Sequence, residues 1–101
     1  MSVYMSLRVE ADASKLRELA QEKPELFKGV ADRAKQRGCI HHTFATANGE
    51  VVVMDEWESA DAFHSFFEAE RENIQPMMEH AEAKGEPQIT FYEPLRLGDE
   101  F

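Results

Sequence analysis

Apolar and polar positions alternate from Val3 to Val9, with Val3, Met5, Leu7 and Val9 on one side and Tyr4, Ser6 and Arg8 on the other. That period of two predicts a strand with one buried face. Asp12 and Ser14 are helix-capping types, and beyond them Leu16, Leu19, Ala20, Phe27, Val30, Ala31 and Ala34 recur at helical spacing. Pro24 lacks an N–H and must kink this helix or open a second one. Lys35 and Arg37 suit the negative end of a helix dipole, and Gly38 suits a left-handed cap. Cys39–Ala47 and Glu50–Trp57 flank Asn48-Gly49, whose residue types favour the two positive φ values of a tight hairpin turn. Ser59 can cap a further helix with Ala60, Phe63, Phe67, Ile74, Met77, Met78 and Ala81 on its apolar side and a break near Asn73–Pro76. Gly85 and Pro87 are expected to end it. The segment 88–95 reads as a last strand with Ile89, Phe91 and Leu95 in phase. The order β-α-β-β-α-β predicts an α+β, ferredoxin-like domain with a four-stranded antiparallel sheet and helices on one face. The other face then needs a cover.

The hairpin turn also sets a register. Counting back from Asn48-Gly49 places Phe44 opposite Val53, His42 opposite Asp55 and Ile40 opposite Trp57, all on one face. The opposite face carries His41 against Glu56, Thr43 against Met54 and Ala45 against Val52. The first face is apolar except for His42 and Asp55, whose Cβ atoms should stand about 4.5–5.5 Å apart. A carboxylate beside an imidazole orients the ring and selects its tautomer. With Trp57 and Phe44 alongside, the pair would occupy an apolar hollow of the kind that binds small molecules. His64 lies beside the Phe63/Phe67 stripe and is a candidate to line the same hollow. A paired histidine and aspartate in a half-buried sheet also have a purely structural explanation, as does a stripe of Phe and Met that simply fills the core.

Composition narrows the partners. The 101 residues fit one domain, 1–101, with a thin core that would gain from oligomerisation. Asp plus Glu number 20 against 11 Lys plus Arg, a formal charge of -9. Such a surface repels phosphate backbones and anionic lipids, which argues against nucleic-acid and membrane partners. Cys39 stands alone, which suits a reducing cytoplasm, and neither a signal peptide nor a membrane span is apparent. Cys39, His41 and His42 do not make a metal set, because His42 points away from the other two on a strand. No phosphate loop or nucleophile elbow is present.

The run from Glu50 through Asp55-Glu-Trp57-Glu-Ser-Ala-Asp-Ala-Phe-His64-Ser-Phe-Phe67, preceded by Cys39-Ile-His-His-Thr-Phe44, resembles the antibiotic biosynthesis monooxygenase-like family. The resemblance implies a homodimeric α+β barrel whose two sheets pack face to face. It also implies a pocket in each subunit and oxidation of phenolic or anthrone-type compounds without metal or flavin, through a substrate carbanion that meets oxygen. Trp57 matches the family's pocket tryptophan. The haem-degrading branch fits poorly: the first strand has no asparagine, Phe66 and Phe67 occupy the positions nine and ten beyond Trp57, and His64 comes too early. The expected activity is therefore a cofactor-independent monooxygenase or related proton-transfer enzyme. His42 would be the base and Asp55 its orienter, with Trp57, Phe44, Phe67 and His64 around a small apolar or aromatic substrate. The alternatives are a dimeric protein that binds such a ligand without turnover, and a dimer whose core fills the hollow.

Overall fold

A computed structural model describes residues 1–101 as β1 (Val3–Glu10), α1 (Ala13–Glu22), α2 (Pro24–Gln36), β2 (Cys39–Ala47), β3 (Glu50–Trp57), α3 (Ala60–Ala69), α4 (Arg71–His80) and β4 (Lys84–Tyr92). The strands form one antiparallel sheet in the order β2-β3-β1-β4. This is the ferredoxin-like α+β arrangement expected from the sequence, with each long helical stretch divided in two. No helix is long and apolar enough to cross a membrane.

Local chemistry explains the boundaries. The Asp12 carboxylate accepts from the backbone N–H groups of Ser14 and Lys15 and starts α1. Pro24 opens α2 at its first turn, where a missing N–H costs nothing. Gly38 has φ +113, and a Cβ there would lie 3.1 Å from the Glu58 carboxylate. Its carbonyl accepts from Glu58 N at 2.9 Å, joining the start of β2 to the end of β3. The hairpin turn has φ 53 at Asn48 and 77 at Gly49, both left-handed as its residue types require. Ser59 caps α3 through a 3.0 Å bond from Ala62 N.

Three expectations need correction. The second helical stretch breaks at Glu70 rather than at Asn73–Pro76, and Pro76 lies inside α4. Glu70 is buried at this joint because Arg33 of α2 grips its carboxylate at 2.8 and 3.0 Å while the Asn73 amide adds a bond at 3.1 Å. These partners favour the non-helical turn. The last strand begins at Lys84, so Gly85 and Pro87 fall within it. β4 is an edge strand, where a proline without an N–H is tolerated, and its register shifts between the partners Arg8 and Glu10. The strand stops at Tyr92. Pro94 cannot extend the ladder, and Leu95 is exposed instead of continuing the buried phase.

The core lies between the sheet and the helices, around Met5, Leu7, Ala34, Cys39, Trp57, Phe63 and Phe66. Only 15 of 101 residues are buried, because the far face of the sheet is bare. Tyr4, Met54 and Tyr92 are large, apolar and exposed on that face.

Candidate active site

The β2/β3 ladder pairs Phe44 with Val53 and His42 with Asp55, as the turn arithmetic requires. His42 Nδ1 lies 2.8 Å from Asp55 Oδ1. Asp55 and Trp57 are two residues apart on one strand and so share a face. The indole reaches back and donates from Nε1 to Asp55 Oδ2 at 2.9 Å. Both carboxylate oxygens are thus engaged, and the Asp55 side chain is only 4% exposed against 34% for His42. The result is a line from indole to carboxylate to imidazole that runs from the core outward. With Nδ1–H given to Asp55, the tautomer leaves Nε2 as the lone-pair nitrogen.

Trp57 is held rigidly. Its ring meets Phe63 edge-on at 5.5 Å and a tilted Phe66 at 5.2 Å, and the residue is 1% exposed. Phe44 contacts His42 edge-on at 5.1 Å and Phe27 of α2 at 6.2 Å, on the outer side. Between sheet and helices a cavity of about 100 Å³ remains. Of its 20 lining residues, 18 are hydrophobic, and the other two are His42 and Asp55. The oriented His42 ring therefore borders an otherwise apolar space. Trp57, Phe44 and Phe67 line it as well.

His64 does not join them. It follows Phe63 on α3 by a hundred degrees of helix rotation, which carries it off the apolar stripe. It is exposed and packs on the rims of Phe63 and Phe91. Nor does Ile40 oppose Trp57. A bulge between Cys39 and His41 slips the register by one, so Cys39 sits opposite Trp57 and Ile40 is exposed. Burial, with the Asp55 charge adding, pushes the Cys39 thiol up to about 11. Cys39 thus stays a neutral thiol at neutral pH, donating to the His41 carbonyl at 3.2 Å. His41 is exposed on the bare face, opposite Glu56. No group of three or more His, Cys, Asp or Glu side chains stands where it could hold a metal ion. Two contributors escaped the sequence reading. Phe66 lies three residues after Phe63, a helical spacing that could have flagged it. Phe27 was placed in the first helical stripe but not beside the hairpin.

No protein-family profile matches the chain, and no curated protein matches it by sequence. Solved structures match it along almost its whole length. A candidate antibiotic biosynthesis monooxygenase from Deinococcus radiodurans superposes with a TM-score of 0.66 at 19% identity, over 98% of either chain. SnoaB, a cofactor-independent oxygenase from Streptomyces nogalater, gives 0.60 at 14% identity, over 98% of either chain. The chain has the fold of the antibiotic biosynthesis monooxygenases. A dimeric ferredoxin-like protein from an uncultured marine organism has it too, with a TM-score of 0.64 at 14% identity over 94% of this chain and 92% of that one. The likeness supports the resemblance seen in the sequence, through the path of the chain.

Proposed function

We propose that the protein is a homodimeric, cofactor-independent oxygenase acting on a small aromatic substrate with an acidic C–H bond. The observation that carries this reading is the Trp57–Asp55–His42 line, whose imidazole end lines an apolar cavity. His42 Nε2 takes the proton from the substrate's activated methylene. The carbanion gives its electrons to dioxygen, and a C–O bond forms as a peroxide. The imidazolium returns its proton to the peroxide. Loss of the remaining C–H proton as the O–O bond breaks then yields a carbonyl and water. The overall balance is R₂CH₂ + O₂ → R₂C=O + H₂O. Asp55 holds the ring and stabilises the imidazolium, Trp57 fixes Asp55, and Phe44 and Phe67 pack the substrate. The apolar wall excludes water, which would otherwise reprotonate the carbanion. Likeness to SnoaB in fold supports the reaction class, and the bare sheet face with Tyr4, Met54 and Tyr92, together with the dimeric marine neighbour, supports a dimer.

The test is oxygen consumption with anthrone for the wild type and His42→Ala. General base catalysis contributes about 10²–10⁴-fold, so the variant should lose at least a hundredfold while keeping its circular dichroism. Equal rates would remove His42 from the reaction, and no wild-type consumption across a panel of anthrones would leave a binding protein.

A further inference from the structure

The cavity beside His42 is too small for the substrate proposed above. An enclosed apolar space of about 150 Å³ is what a single benzene occupies, and this one offers about 100 Å³. Drug-sized ligands need roughly 300–1,000 Å³. The missing room is next door. A more open groove of about 290 Å³ runs between α1, α2 and β2, and it shares Leu16, Phe27, Phe44 and Val51 with the cavity wall. Phe27 and Phe44, in edge contact, line both spaces. Phe44 is 44% exposed and lies on an edge strand, with Phe27 and His42 as its aromatic neighbours.

The groove has one charged lining residue, Arg17. Ala13, Leu16, Arg17 and Ala20 all line it from α1, at the spacing of a single helix face. Arg17 therefore interrupts a stripe that is otherwise apolar. No carboxylate pairs with it, although the chain carries 20 acidic side chains against 11 basic ones. No acidic residue lines the groove. Along β2, His42 and Thr46 bound the two spaces. Four residues at about 3.4 Å each separate them by roughly 13 Å along the strand, so the joined spaces are elongated in the strand direction.

We infer that Arg17 is the anion-recognising end of the same site, and that the ligand is an elongated aromatic carboxylate with its arene at His42 and its acid group at Arg17. The inference rests on the reading of the His42 cavity as a ligand site. A guanidinium matches a carboxylate with two parallel N–H bonds, and an acidic protein that must admit an anion needs such a local cation.

The experiment is fluorescence titration with 2-anthracenecarboxylate and its neutral counterpart 2-anthracenemethanol. It reads binding independently of turnover. Wild type should prefer the acid. Arg17→Gln should weaken the acid about three- to tenfold and leave the alcohol within twofold. Arg17→Lys should fall between them, the distal control Arg96→Gln should match wild type, and added salt should weaken the acid alone. Equal effects on both compounds, or none on either, would overturn the assignment of Arg17 while leaving the cavity a ligand site. Failure of both compounds to bind wild type would overturn the cavity reading and this inference with it. Loss of the acid preference in Arg17→Gln, with anthrone oxidation absent in all variants, would uphold Arg17 and refute the oxygenase.

Discussion

Replacing Asp55 by asparagine keeps the side chain's size and removes one of its two acceptors. In the native protein Oδ1 meets His42 Nδ1 at 2.8 Å and Oδ2 accepts from Trp57 Nε1 at 2.9 Å. An indole N–H can only donate, so the single amide oxygen must face Trp57. The amide NH₂ then faces His42 Nδ1, which has to become the acceptor. The ring proton moves to Nε2, and the nitrogen toward the substrate is no longer a base. The opposite amide orientation would set two donors face to face at Trp57, leaving a buried N–H unpaired at about 1–3 kcal/mol. That cost decides for the first orientation by a factor of roughly 5 to 150. Both bonds to the carboxylate are charge-assisted, and exchanging them for neutral ones lowers stability by about 2 kcal/mol. The assay is long-range ¹H–¹⁵N NMR of the His42 ring at pH 8. Wild type should show protonated Nδ1, and Asp55→Asn should show protonated Nε2. Oxygen consumption should fall about 10²–10⁴-fold in parallel, because the base is lost although the histidine remains. An unchanged tautomer, or consumption within threefold of wild type, would falsify the proposed relay.

Trp57→Phe should lose about 2–3 kcal/mol in urea unfolding, since it strips a donor from the buried Asp55 and leaves a void among Phe63 and Phe66; a loss under 1 kcal/mol would contradict the indole–carboxylate bond. The Arg33 guanidinium holds the Glu70 carboxyl below its ordinary 4.5. A lowered folded value means that this pair stabilises the protein above about pH 4.5 and that the contribution disappears as pH falls through the folded value. The stability gap between wild type and Glu70→Gln should therefore be open at pH 6 and shrink toward pH 3, and a gap independent of pH would contradict the pairing. Iodoacetamide should label Cys39 far more slowly at pH 8 in the folded than in the unfolded chain, because the folded thiol titrates only near 11; equal rates would place Cys39 outside the core. If the proposed dimer forms through the bare face, the wild type should sediment as a dimer and Met54→Glu as a monomer; a wild-type monomer would refute the dimer, and a Met54→Glu dimer would move the interface elsewhere.

The alternating run of β1, the capping residues Asp12 and Ser59, and Asn48-Gly49 act through neighbours in the chain. The sequence by itself therefore determined the element order, the sheet's two faces and the meeting of His42 with Asp55. A two-residue turn set that register as far as His41, and it slips only at the bulge beyond. What it could not convey came from contacts between distant segments. The bulge that seats Cys39 opposite Trp57 depends on the join between Gly38 and Glu58. The helix joint at Glu70 depends on Arg33, 37 residues away. Pro87 is tolerated in a strand because β4 is an edge. The bond from Trp57 to Asp55 depends on how Phe63 and Phe66 hold the indole, and the groove that reaches Arg17 exists only where two helices and an edge strand leave a gap. Periodicity reports which face a side chain occupies, whereas packing in three dimensions decides what waits for it there.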